Sequence, residues 1–188
     1  ENAAKKIFLF ASLDKGTLAQ YTERIRSNRR DGYMGECAER ARALFLEGYN
    51  CAQAVVGAFA DQMKMDFPQA MQMASSFGGG MGRMREVCGA VSGMFLVAGV
   101  LYGYADPTDR EAKAEHYARI QKMAARFSAQ TGSIVCRELL GLSKAPQSPV
   151  PSERTVQFYK KRPCADLVYL AAQITEELIA KNGDLDAS

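Results

Sequence analysis

The sequence predicts an all-α fold: a compact single-domain bundle of about seven to eight helices with a central apolar helix. Three observations predict it. Apolar residues recur at three- and four-residue spacing along most of the chain. No two-residue alternation of the kind that marks strands is present. An uncharged stretch, Val87 to Ala105, lies mid-chain between segments that carry charge on one face only. At 188 residues the chain has room for one sizeable core. Its expected organisation is an N-terminal helical arm over residues 1–30 and a helical domain over 31–188.

The elements follow from caps and stripes. Thr17 and Gln20 read as a capping box, with Leu18, Tyr21 and Ile25 on one face of the helix behind them. A second helix is expected over 34–47, with Cys37, Ala41, Leu44 and Phe45 in one stripe and Gly48 at its end. Asn50 caps a third helix, with Gln53 three residues on and Cys51, Val55, Ala58 and Phe59 inward. Pro68 opens a short fourth helix that stops before "FGGGMG". The apolar fifth helix is expected over 85–102. Thr108 and Glu111 read as a further capping box. The helix after it continues to about residue 129, with Tyr117, Ile120, Ala124 and Phe127 inward. Gly132 and Ser133 start a short helix carrying Cys136, Leu139 and Leu140. "SKAPQSPVPS" holds three of the six prolines and reads as a loop. Pro163 opens the last helix, with Cys164, Leu167, Ala171, Ile174 and Leu178 in one stripe.

The uncharged stretch barely reaches the roughly 20 residues a bilayer requires, and it contains Gly89, Gly93, Gly99 and Gly103. A buried central helix fits better than a membrane span. Both glycine pairs have the spacing that lets another backbone approach. The net charge of +3 does not call for nucleic acid. The basic cluster "RIRSNRR" at 24–30 reads as a solvated helix end. Five widely spaced cysteines do not make a secreted disulfide framework, and no secretory signal is visible, so a cytoplasmic location is expected.

Four cysteines share one kind of position. Cys51 follows its cap, Cys88 lies near the start of the apolar helix, Cys136 is three residues past Ser133, and Cys164 follows Pro163. Helix N-termini present unpaired N–H groups and partial positive charge, which favour thiolate over thiol. Arg83, Arg85, Lys161 and Arg162 stand nearby in sequence and add to that effect. Cys37 sits in a stripe of plain core residues and reads as packing. No CxxC pair and no CxxCH appear, so zinc ribbons, ferredoxin loops and c-type haem attachment are not indicated.

"GYNCAQAV", "FGGGMGRMREVCGAVSG", "VCRELLG" and "CADLV", in this order, resemble the redox-active protein family named for its C-GCAxxG-C-C cysteine pattern. Its CGAxxG motif reads here Cys88, Gly89, Ala90, Val91, Ser92, Gly93, and its three other cysteines match Cys51, Cys136 and Cys164. The resemblance runs over about 38–181. It implies redox activity through these four cysteines and makes 31–188 a four-cysteine redox domain. A similar domain accompanies haem modules in some split-Soret cytochromes. This chain lacks the haem motif, so only the cysteine part of that likeness carries over.

Three functions remain open. Cys51, Cys88, Cys136 and Cys164 ligate an iron–sulfur cluster for electron transfer, with Gly89, Ala90 and Gly93 beside the cofactor. Alternatively, the four cycle as two thiol–disulfide pairs, in one of three connectivities. Or they hold a redox-inert, cysteine-bound metal, or none, in a structural domain. Cluster ligation is placed slightly ahead, because four cysteines on four helices form a natural cage. In either redox reading the chain is an oxidoreductase or an electron-transfer protein. A redox partner protein is expected, nucleic acid and membrane insertion are not, and a homodimer is left open. Other features are weaker. "GGGMG" at 78–82 reads as a tight turn before it reads as an anion cradle. His116 reads as a solvated or half-buried helix residue, and the methionines as core filling. Glu86 is either a proton acceptor for Cys88 or a first-turn acid.

Overall fold

The computed structural model describes residues 35–143 and 148–186. The expected arm over 1–30, the helix behind Thr17 and the basic cluster at 24–30 lie outside the described residues. Among those described there are eight helices and no strand. They are α1 (Glu36–Glu47), α2 (Cys51–Ala58), α3 (Phe67–Ala74), α4 (Gly89–Tyr102), α5 (Arg110–Thr131), α6 (Cys136–Leu139), α7 (Val156–Lys161) and α8 (Cys164–Ala180), with a single 3₁₀ turn (Ser75–Phe77) after α3.

The uncharged α4 lies at the centre and packs on α2, α8 and α5. Its first six residues, Gly89 to Met94, are all buried. Two glycines allow this. A Cβ on Gly93 would lie 2.9 Å from Val55 Cβ and 3.0 Å from the Ala52 carbonyl oxygen. One on Gly89 would lie 2.8 Å from the Phe77 carbonyl oxygen and 3.1 Å from Cys51 Cβ. The first turns of α2 and α4 therefore touch backbone to backbone. The second glycine pair differs: Gly99 has nothing within 4 Å, and Gly103 is the C-cap of α4.

Helix α2 begins where the capping box places it. The Asn50 side chain accepts from the N–H groups of Ala52 and Gln53, at 3.0 and 2.9 Å, and Gln53 Oε1 accepts from Asn50 N–H at 3.1 Å. Such a cap is worth about 1 kcal/mol. In α8 the stripe Leu167, Ala171, Ile174 and Leu178 is buried as its spacing predicts. Cys37 is buried in α1, where Gln62 Nε2 donates to its Sγ at 3.2 Å and its own N–H donates to Glu176 Oε1 at 2.6 Å.

Several boundaries differ from the sequence reading. Helix α4 starts at Gly89, four residues later than expected, because Gly79 to Gly82, Arg83 and Arg85 all adopt left-handed φ between 58° and 73°. Asp109, not Thr108, caps α5, accepting from Ala112 N–H at 2.8 Å, while Thr108 turns back to Asp106. Tyr117 is 51% exposed; Phe127 is buried as expected, and Met123 joins it in the core. Ser133 caps no helix: its Oγ accepts from Val135 N–H, which delays α6 to Cys136. Helix α7, capped by Thr155, has no counterpart in the sequence reading. No described helix is long and apolar enough to cross a membrane.

The two glycine pairs generate opposite expectations. Gly93→Ala should lower stability by about 1–3 kcal/mol, since Ala52 presents backbone that cannot turn aside. Gly99→Ala, mid-helix in open space, should raise it by roughly 0.5–1 kcal/mol. Denaturant midpoints of the two variants check both signs.

Candidate functional site

Local chemistry puts each of four cysteines at a helix start. Cys51 is the first residue of α2, Cys136 of α6 and Cys164 of α8, and Cys88 is the N-cap of α4. Tertiary packing brings them together. The segment 85–88 is clipped to 134–137: Cys88 N–H donates to the Ile134 carbonyl at 2.8 Å, Cys136 N–H to Glu86 at 2.6 Å and Arg137 N–H to Arg85 at 3.1 Å. Gly80 leaves room for this, since a Cβ there would lie 2.7 Å from Cys136 Cβ. Gly89 brings Cys88 beside Cys51, as described above. All four cysteines line one cavity of about 280 Å³. All five cysteines of the chain are thiols, none in a disulfide.

The charged residues of the cavity wall are four arginines: Arg83, Arg85, Arg154 and Arg162. Among the described residues, no lining residue is acidic. Arg85 is 3% exposed. Its Nη1 donates to the Gly79 carbonyl at 3.4 Å and lies 3.8 Å from Cys136 Sγ, while its Nε has no partner. Arg83 donates to the Ser148 carbonyl and to Ser152 Oγ, both at 3.2 Å. Arg154 reaches back from the segment before α7. It donates to the carbonyls of Phe45 and Tyr49, at 3.2 and 3.0 Å, and stacks 4.6 Å from the Phe45 ring centroid and 5.1 Å from that of Phe158. Arg162 stacks 4.7 Å over the other end of that cluster, Phe158.

Burial and charge separate the four thiols. Cys164 is brought down to about 7: Cys51 donates a hydrogen bond to its sulfur, and Arg162, Arg154 and Arg85 add their charge, together outweighing its burial. Cys51 is pushed the other way, because it is the donor in that bond and is half-buried beside the other thiols. Cys88 is pushed up to about 12 by burial, although the N–H groups of Ala90 and Val91 pull against it. Cys136 is also raised by burial, against its contact with Arg85. The helix N-termini alone therefore do not produce thiolates here. At Cys88 the two N–H groups lose to desolvation; the depressed thiol is the one with a thiol donor and three arginines.

The remaining expected residues fall as follows. Gly89 lines the cavity, Ala90 contributes its N–H to Cys88, and Gly93 packs on α2 away from the cavity. Gly78, Gly79 and Gly82 of the glycine run are wall residues. Glu86 points outward to Arg137, at 3.0 Å, and not to Cys88. His116 is half-buried in α5 beside Arg119. Met63 and Met71 are core. Cys37 is not part of the cavity. Arg154 went unnoticed in the sequence; only the neighbouring aromatic pair Phe158 and Tyr159 hinted at a stacking site.

Residues 49–178 match the model of the family described as "Putative redox-active protein (C_GCAxxG_C_C)". The chain belongs to this family. No curated protein and no solved structure matches the chain. The matched span holds all four cavity cysteines and all four arginines, whereas Cys37 precedes it. Among the described residues, no three His, Cys, Asp or Glu side chains are grouped so as to hold a metal ion.

The thiol environments make the site's pH response specific. Alkylation of Cys164 by iodoacetamide should rise with pH through a midpoint near 7 and level off only well above it, where its thiolate is fully populated. Cys88 should stay unmodified in the folded protein through pH 9, since its thiol persists to about 12. Peptide-resolved mass spectrometry after timed alkylation at each pH reads both.

Proposed function

We propose that the cavity is a thiol–disulfide redox centre in which Cys164 is the attacking thiolate and Cys51 the resolving thiol. The observation that supports it is that Cys51 and Cys164 open two helices packed on each other and line the same cavity with Arg154 and Arg162, so that the interaction of the two thiols, with the arginine charge, favours the thiolate at Cys164. A thiolate near ambient pH is the efficient attacking species, and a neighbouring thiol completes the exchange. Cys164 attacks one sulfur of a disulfide substrate; that S–S bond breaks and one half leaves as a thiolate. Cys51, having released its proton, then attacks the Cys164 sulfur. The second half leaves, and a Cys51–Cys164 disulfide remains. Two electrons have passed from the cysteine pair to the substrate. A dithiol of a redox partner protein returns them, as the reducing cytoplasm would sustain.

A second reading has its own observation. Four thiols from four helix starts share one cavity whose charged residues are all cationic. This donor set suits an iron–sulfur cluster, and the arginines would offset its negative charge. Cys51, Cys88, Cys136 and Cys164 would hold it, and it would supply one-electron transfer. A single zinc ion fits less well, because it draws its ligands to about 2.3 Å, and no three candidate ligands among the described residues are so grouped. The thiol pair is placed first because the environments of Cys51 and Cys164 are unequal, whereas a cage of four ligands has no need of one distinct thiolate.

Serine variants separate the readings. Under the first, mild oxidation removes two thiols from the wild type, from Cys88→Ser and from Cys136→Ser, while Cys51→Ser and Cys164→Ser form no internal disulfide. Anaerobically purified protein that carries iron and sulfide, and whose visible absorption is lost in each of the four variants, would instead establish the cluster.

A further inference from the structure

The cavity wall is more than a setting for thiols. The whole chain carries a net charge of only +3, yet four guanidinium groups converge on this one space with no acidic residue among its described lining. Among the described residues none of the four is paired with a carboxylate: Arg83 and Arg154 donate to backbone carbonyls and hydroxyls, and Arg162 stacks on Phe158. Arg85 is the decisive residue. It is 3% exposed, yet its Nε has no partner. Leaving a buried donor of a charged group unpaired is costly, and such a group calls for an acceptor. Arginine is also the residue best shaped to hold a carboxylate through two donors at once.

The space is small. At about 280 Å³ it lies at the lower edge of the range of roughly 300–1,000 Å³ that serves drug-sized ligands. Apart from the thiols and arginines, the wall is largely glycine, proline and aromatic or aliphatic carbon. A small molecule with an anionic end and a compact apolar body matches these features.

We infer that the cavity admits its substrate as an anion: a small disulfide bearing carboxylates, bound by Arg83, Arg85, Arg154 and Arg162 with its S–S bond against Cys164. This rests on the thiol–disulfide reading and names its substrate class. The exchange balances as written above, each half of the small disulfide leaving as a carboxylate-bearing thiolate and the protein losing two electrons as the Cys51–Cys164 bond forms. The arginines then act twice. They raise the local concentration of the anionic disulfide, and they stabilise the thiolate that departs.

The test compares two small disulfides of opposite charge, dithiodipropionate (a dianion) and cystamine (a dication), on the reduced full chain. Each rate of mixed-disulfide formation at Cys164 is followed by mass spectrometry and divided by the rate of the same reagent with β-mercaptoethanol, which removes intrinsic reactivity. The normalised rate should favour the dianion by at least about tenfold at low salt, the lower end of electrostatic steering. The preference should shrink in 0.5 M salt, where screening acts within roughly 4–5 Å, and in Arg162→Gln, which removes one guanidinium from the cavity wall. The salt comparison needs no variant, so it stands even if the substitution unfolds the protein. A ratio near or below one, with Cys164 modified by both reagents, would overturn the anionic substrate and leave the thiol reading intact. If neither reagent modifies Cys164, the thiol reading fails and this inference with it.

Discussion

The backbone-to-backbone approach of α4 to α2 is the constraint on which the rest of the pocket depends. It exists because residues 89 and 93 have no side chain. With a Cβ at either position, the first turn of α4 would be pushed off Ala52 and Phe77, and Cys88 would move away from Cys51. The same device recurs at Gly80, where a missing side chain lets the 78–88 loop close on Cys136. Close approaches at three glycines thus set three of the four thiols, and Cys164 arrives at the start of the long, well-buried α8.

The arrangement carries costs. Met81, Arg83 and Arg85 hold left-handed backbone angles, each costing roughly 1–2 kcal/mol for a residue with a side chain. Arg85 adds a buried, incompletely satisfied guanidinium. Burial also raises Cys88 and Cys136 as thiols, and the interaction with Cys164 raises Cys51. Two charges about 4 Å apart interact by about 4 kcal/mol at an effective dielectric constant of 20. One arginine is not enough: Arg85 lies 3.8 Å from Cys136 Sγ, and burial still raises that thiol. Desolvation is reversed at Cys164, where three arginines and the Cys51 donor act together, and not at Cys88, which has two backbone N–H groups alone. A pocket with one low and three high thiols is suited to exchange with a disulfide that enters it. The family match supports redox activity without specifying the chemistry.

Much of this was legible in the sequence. Asn50 with Gln53, and the stripe from Leu167 to Leu178, announce α2 and α8 because caps and periodic burial are local signals. The four cysteines at helix starts were readable for the same reason, and their order pointed to the family. The 78–88 loop was legible in part: "GGGMG" reads as a tight turn, but the left-handed angles at Arg83 and Arg85 have no compositional mark, so the helix that begins at Gly89 reads as beginning at 85. Arg154 was illegible for another reason: it is held in the cavity wall by stacking on Phe45 and by the carbonyls of Phe45 and Tyr49, more than a hundred residues away in the chain. Tyr117 followed the right period on the wrong face, since the buried positions of α5 are set by contacts with α4 and α8. The unequal thiols were likewise invisible, because they arise from burial and from arginines gathered by the fold.

The central claim is that Cys51 and Cys164 work as a pair. The most direct test is to oxidise the reduced wild-type protein with one equivalent of a mild oxidant, digest it without reductant and map the cross-linked peptides. A single Cys51–Cys164 cross-link is the predicted result. A Cys88–Cys136 cross-link in its place, or four thiols that stay reduced while the protein holds iron and sulfide, would contradict it.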